Sequence, residues 1–380
     1  MSAGEHDAPG ERRRPQAAGD ALPPAKGTGA GDDAGRFLSS AHAADDAIDR
    51  PWDQDNQQWW NWYMSLAAPE ELRSQPAPGA ASTLPPVAPG DAPLASDEVA
   101  ATLDLADVPP AGQEALEAEL AEPYPVPQEA VARFRRDGYV KLKDVVSPRA
   151  LARLRRVMSA RLEEALGDQH GLSFRSGEML WLRDPVFRAF VLSPRLGGMA
   201  ADLLGVDAVR LYHDNALSKE PGCGRTPWHY DADHFPIATP HICTVWIPLQ
   251  PVPRAMGPLA FAVGMDRWEL VRDVHFGKKD TSYDAEVGHR FRSHGVEVDD
   301  GPFDLGEVSF HHALSFHTAA SNRTGVPRMV LATTYFEDGA RVVDRPTMVS
   351  GDWQKFMPGV GPGERIDSAY NPVCGRRSRL

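Results

Sequence analysis

TPWHYDADHFP, residues 226–236, is the stretch on which the reading of this chain turns. Two histidines and two aspartates fall between His229 and His234, directly behind Trp228. Residues two apart on a strand project to the same face. With His229 at a strand end, His229 and Asp231 therefore aim an imidazole and a carboxylate at one point. A second histidine would complete a facial triad. Two histidines and one carboxylate leave three positions open on an octahedral ferrous ion, which suits non-haem oxygenases. A lone His-x-Asp arises by chance in many loops, so the reading depends on residues farther along the chain.

The distal stretch is GEVSFHHALSFHTAASNRTGVPRMVLATTYF, residues 306–336. It offers three candidates for the missing imidazole: His311, His312 and His317. Arg328 comes eleven residues after His317 and opens the strand-like run RMVLATTYF, which favours His317 among them. A guanidinium there grips a carboxylate bidentately, as a dicarboxylate cosubstrate requires.

The surrounding runs set the fold class. VRLYHDNALSK, HICTVWIPLQ, GPLAFAVG, GEVSFHH and PRMVLATTYF are short, rich in β-branched and aromatic residues, and bounded by Gly and Pro. They predict an antiparallel sandwich or barrel. Ahead of them, VARFRRDGYVKLKDVVS reads as a helix, an Asp-Gly turn and a strand. Ser147 and Pro148 then open a helix with Leu151, Leu154 and Met158 on one face. Cys243 alternates with Val245, Ile247 and Leu249, so it belongs to the core. Residues 266–304 are polar without clear periodicity and read as a long insertion between strands, a common place for function.

The chain divides into three parts by composition. Residues 1–127 are largely an Ala-, Pro- and Gly-rich extension that cannot bury enough surface to order itself. A short helix is expected around AGQEALEAELAE. Within the extension, Trp59, Trp62, Tyr63 and Leu66 lie at helical spacing and predict a helix near 52–67, packed on the main domain or serving as a lid or contact. Residues 128–345 form the folded domain, and 346–380 a C-terminal extension. The net charge of −13 argues against non-specific nucleic-acid binding. Three cysteines without a CxxC pair form no disulfide framework. The N-terminus has no apolar signal region and no run is long enough to span a membrane, so the cytoplasm is the expected location. Oligomeric state is not legible.

The sequence resembles the phytanoyl-CoA dioxygenase-like branch of the Fe(II)/2-oxoglutarate oxygenases from about residue 131 to about 340. FRRDGYVKLKDVVSPRALARLR is similar to the family's opening, and SKEPGCGRTPWHYDADHFP to its approach to the metal. TVWIPLQPVPRAMGPLAFAVGM is similar to the family's next strand–turn–strand, although Gly264, Met265 and Asp266 stand where the family commonly has Gly-Ser-His. The resemblance implies a double-stranded β-helix (jelly-roll or cupin-like) core with flanking helices. It implies that His229, Asp231 and His317 hold Fe(II) and that Arg328 binds the distal carboxylate of 2-oxoglutarate. Thr226, Trp246 and Lys219 match positions near the cosubstrate. Ala319 replaces a serine that often contacts it. The implied activity uses O2 and 2-oxoglutarate to oxidise an unactivated C–H bond of a small molecule, an acyl thioester or a natural-product intermediate. Succinate and CO2 are released. An intact Asp231 favours hydroxylation, desaturation or ring formation over halogenation.

Competing readings attach to each residue. A non-catalytic cupin-like module would retain metal ligands but has no need of Arg328. A metal oxygenase that does not use 2-oxoglutarate is the third possibility. Asp233 and His234 read as loop-closing residues, His311 and His312 as structural. His213 lies on the strand into the site, and Lys219 has a solvated alternative. His241, His275, His289 and His294 have no motif context.

Overall fold

The computed structural model describes residues 105–166, 174–274, 282–346 and 353–378. The tryptophan-rich helix expected near 52–67, the disorder expected ahead of and behind it up to residue 104, and His275 lie outside the described residues.

Local signals build the helical half. Helix α1 (Gln113–Ala121) buries Leu116 and Leu120, four residues apart on one face. Packing therefore begins ahead of residue 128, where the sequence puts it. Helix α2 (Gln128–Asp137) ends at Gly138, whose φ of +88° is the left-handed conformation that terminates helices. The chain then enters strand β1 (Tyr139–Leu142). Ser147 caps helix α3 (Pro148–Leu166), its Oγ accepting from the Ala150 N–H, and Leu151, Leu154 and Met158 are fully buried. Strand β2 (Phe174–Glu178) comes next. Asp184 and Ser193 cap helices α4 (Pro185–Val191) and α5 (Pro194–Leu204), each with proline at its first turn.

The β half comprises β3 (Ala208–Lys219), β4 (Thr226–His229), β5 (Ile242–Pro248), β6 (Leu259–Ala262), β7 (Val298–Asp299), β8 (Val308–His312), β9 (His317–Ala319), β10 (Arg328–Glu337) and β11 (Val373–Arg376). One sheet runs β1-β8-β5-β10-β3-β11, with β2 also paired to β3; the other runs β4-β9-β6-β7. Every named pairing is antiparallel. The fold is mainly β with flanking helices, as expected. The insertion 266–304 is less irregular than its sequence suggests: it contains helix α6 (Ser282–Ser293), which buries Tyr283, Val287 and Phe291 at four-residue spacing.

Alternation assigns each face of the large sheet a task. Leu211, Cys243, Val245, Ile247, Phe310, Leu331 and Tyr335 join Leu151, Leu154, Phe187, Phe190 and Leu196 in one core beneath the helices. The opposite face carries polar side chains in rows set by the strand register. One row runs Tyr139, His311, Thr244, Thr334, His213; the next runs Ser309, Trp246, Ala332, Asn215, Glu178. A β-bulge at Tyr212 shifts the β3–β10 register beside His213.

The stretch 346–380 is less separate than its sequence suggests. Its strand β11 pairs with β3 through Val373, Gly375 and Arg376. A Cβ on Gly375 would collide with the backbone of Gly197 in α5. Gly375→Ala should therefore cost about 2 kcal/mol of stability, as overpacking does, and lower the unfolding midpoint in a thermal scan. An unchanged midpoint would show that the contact yields freely.

Asp214 faces the core side. It is fully buried, its Oδ2 accepts the Leu180 N–H at 3.1 Å, and burial pushes its carboxyl up to about 7. A raised acid pKa means the folded state holds a proton that the unfolded chain has released between about pH 4 and 7. This group's contribution therefore falls as pH rises through that window, by up to about 4 kcal/mol. Asp214→Asn should be relatively more stable at pH 8 than at pH 5 in urea titrations. A stability difference independent of pH would refute the assignment.

Candidate active site

Strand β4 and the short turn after it carry the first arm of the site. His229 ends β4, and Asp231 opens a 3-10 turn, Asp231–Asp233. Strand β9 brings His317 opposite, in register with His229. One ligand atom from each of the three lies within 4.8 Å of the others, and the two imidazole centroids are 4.1 Å apart.

The imidazoles are held in the tautomer a metal needs. His229 Nδ1 lies 2.9 Å from the Pro227 carbonyl oxygen and His317 Nδ1 2.9 Å from that of Ser315. With each Nδ1–H donated to backbone, each Nε2 keeps its lone pair. Burial pushes His317 well below its usual pKa, and the neighbouring His229 adds to this. Asp231 is the counterpart. Burial alone would raise its pKa, but His317 and a bond from His311 hold it far below the carboxylate range.

The two oxygens of Asp231 have different surroundings. Oδ1 faces His317 Nε2 at 3.6 Å. Oδ2 accepts from Thr244 Oγ1 at 2.7 Å and lies 3.3 Å from His311 Nε2. Thr244 and His311 are register partners on β5 and β8, so both reach the same oxygen, and Thr334 backs Thr244 at 3.1 Å.

The cluster opens on a cavity of about 1090 Å³, counting its mouth. Arg328 lines it, 2% exposed, without a carboxylate partner among the described residues. Its Nη1 donates to the Gly257 carbonyl, while Nε is buried without a partner there. The guanidinium carbon lies 5.5 Å from the centroid of the Trp246 ring. Burial lowers the Arg328 pKa to about 10, the signature of a cation that lacks a counter-charge. Thr226 Oγ1, another buried orphan, lines the same cavity. These unsatisfied donors fit a bound carboxylate, and the His–Asp–His cluster fits a divalent metal.

Lys219 is placed differently from its expected role. It is fully buried, which removes the solvated alternative, but it does not line the cavity. Its Nζ donates to the Ala320 carbonyl at 2.9 Å, beside its register partner Arg328. His312 is structural, its Nδ1 accepting from the Leu314 N–H at 3.1 Å. His311 and His234, read from the sequence as structural or loop-closing, instead line the cavity, as do His213, Glu178 and Phe356. Thr244 was within reach of sequence reasoning, two positions before Trp246 on the same face. His311 needed the β5–β8 register.

The phytanoyl-CoA dioxygenase family model matches residues 134–330, just over half of the 380-residue chain. No curated protein matches the chain. Among solved structures, the chain is similar to the non-heme alpha ketoglutarate dependent carbocyclase SnoK from nogalamycin biosynthesis, at 23% identity and a TM-score of 0.55, covering 66% of this chain and 99% of that one. It is also similar to the epimerase SnoN of the same biosynthesis, at 23% identity and a TM-score of 0.52, covering 67% of this chain and 97% of that one. Likeness at that identity speaks to the jelly-roll fold. The matched span runs from Phe134 through both arms of the metal cluster and Arg328, and the chain belongs to the phytanoyl-CoA dioxygenase family of iron- and 2-oxoglutarate-dependent oxidoreductases.

Proposed function

We propose that the protein hydroxylates an unactivated C–H bond of a small molecule, with release of succinate and CO2. The observation that carries this reading is Arg328: a buried guanidinium without an acid partner among the described residues, facing the same cavity as a His–Asp–His cluster. A relic binding module has no use for that cation, and neither has an oxygenase that dispenses with a dicarboxylate.

His229, Asp231 and His317 would hold Fe(II) and leave three positions for other ligands. Arg328 would grip the distal carboxylate of 2-oxoglutarate, with Thr226 Oγ1 as a further donor and Trp246 supporting the guanidinium from its face. Lys219 would act through the Ala320 backbone it holds. Iron with 2-oxoglutarate and O2 supplies the oxidising power; the chain supplies geometry and a dry cavity. The Pro227 and Ser315 carbonyls orient the imidazoles. Thr244 and His311 occupy Asp231 Oδ2 and so reserve Oδ1 for the metal. With the carboxylate in place, no ligand position is vacated for halide at Asp231.

The first test is anaerobic. Wild-type protein given Fe(II) and 2-oxoglutarate should develop the weak visible charge-transfer band of the chelate. Arg328→Leu should lose the band at moderate cosubstrate while retaining iron, and Asp231→Ala should lose both. A band that persists unchanged in Arg328→Leu, or is absent from folded, iron-loaded wild type, would sink the proposal.

The second test concerns the hold on Asp231. His311→Phe and Thr244→Val should each weaken Co(II) binding by about tenfold or more, the usual effect of removing a group that orients a ligand. Because both act on one oxygen, the double variant should lose less than the sum of the singles. Competition titration with a chelator measures this, and wild-type affinity in both single variants would exclude the positioning role.

A further inference from the structure

The proposed function leaves one wall of the cavity without a task. Arg328 stands at the start of β10, in a row that runs Arg328, Lys219, Phe174. His213, Asn215 and Glu178 stand farther along the sheet, towards Asp231, and all three line the cavity. Asn215 and Glu178 are register partners, and His213 is two residues from Asn215 on the same strand face.

Each of the three presents an acceptor. Asn215 Oδ1 is buried and has no partner among the described residues. His213 Nδ1 lies 3.4 Å from the Asp214 carbonyl oxygen, a long contact to which only a protonated Nδ1 can donate, and that tautomer leaves Nε2 its lone pair. Burial lowers the His213 pKa, which favours the neutral ring. The Glu178 side chain is 11% exposed and accepts from Lys355 Nζ at 2.6 Å. Lys355 is not a lining residue, and Arg328, at the far end, is the one Arg or Lys among the described residues that line the cavity. Much of the remaining surface here is aromatic: the His213 ring stacks on Phe356 at 4.6 Å and 24°, and Phe174 and Phe235 line the same space, together with the hydroxyl-bearing Ser176 and Tyr212.

Acceptors that lose water on ligand binding cost free energy unless the ligand returns the hydrogen bonds. A ligand bearing N–H or O–H groups does so. A carboxylate or phosphate would find one donor amide, on Asn215, against the lone pairs of His213 and the carboxylate of Glu178, whose charge Lys355 offsets from one side. The aromatic walls add a preference for a ring or other flat frame.

We infer that the substrate is a neutral or cationic ring-bearing molecule whose hydroxyl or amine docks in the corner formed by Glu178, Asn215 and His213, and that anionic head groups are selected against. This inference rests on the proposed function, because the corner matters to substrate only if the cluster beside it is the reacting centre.

The experiment uses the anaerobic full-length protein loaded with Fe(II) and 2-oxoglutarate. Three probes share one frame: 2-(2-naphthyl)ethylamine, 2-(2-naphthyl)ethanol and 2-naphthylacetate. Binding is read by calorimetry after the charge-transfer band has confirmed the chelate. The amine and alcohol should bind about tenfold or more tightly than the acetate, the worth of a charge-assisted hydrogen bond. Glu178→Gln should remove most of the amine's advantage over the alcohol, and Asn215→Leu should weaken the alcohol. Lys355→Met frees the Glu178 charge and should strengthen the amine, an effect that damage to the wall would not produce. Acetate binding as tightly as the amine, or no probe binding at millimolar concentration to protein that shows the band, overturns the inference alone. Absence of the band in iron-loaded wild type overturns the proposed function and this inference with it.

Discussion

The alternation of side chains across the large sheet is the constraint on which everything else rests. One face must be apolar to receive the helices; the other is then free to carry chemistry. A slip of one residue in any strand would exchange the two. Strand β10 meets this demand on both sides, since it pairs with β5 and β3. Its register is pinned beyond the ladder by Gln250, whose side chain accepts from the Met329 N–H and donates to the Met329 carbonyl, both at 3.1 Å. Arg328 is the next residue back. A buried glutamine thus fixes where the Arg328 guanidinium stands.

The site separates charge along the cavity. Arg328, with Lys219 behind it, stands at the start of β10; Asp231 and Glu178 line the cavity farther along the sheet. Among the described residues, Arg328 has no carboxylate partner and Asp231 no arginine or lysine partner. Asp231 is surrounded by imidazoles and a hydroxyl, and Arg328 by a backbone carbonyl and an indole. Leaving buried charges incompletely paired is unfavourable to folding and is retained where binding repays it. The glycine at 257 belongs to the same arrangement. Its φ is +71°, and a Cβ there would collide with the Ala320 carbonyl, so only glycine lets its own carbonyl meet Arg328.

The sequence made the outline of the fold and the first arm of the site legible because those signals are local. The Ser147–Pro148 cap, the Asp-Gly turn at 137–138 and the alternation in ICTVWIP each act within a few residues. The two-residue step from His229 to Asp231 and the eleven-residue step from His317 to Arg328 survive in one dimension for the same reason. His311 did not: adjacent to His312 and without spacing of its own, it acquires meaning only when β8 is laid against β5. Glu178 and His213 are brought together by the β2–β3 pairing, and Phe356 joins them from more than a hundred residues along the chain. Lys219 misled in the other direction, since its place in the motif says nothing of where its ammonium points. The helix in 266–304 was hidden by a polar composition that masks three buried residues at four-residue spacing.

The tail of the chain also closes the cavity. Phe356 lines it, Lys355 reaches Glu178, and β11 protects an edge of β3 that would otherwise be open. During synthesis, His229, Asp231, His317 and Arg328 leave the ribosome before any of these residues does. The cluster's own residues are therefore synthesised ahead of Phe356 and Lys355, and the two parts of the cavity lining meet only in the finished fold, where β11 lies between β3 and the glycine-lined face of α5.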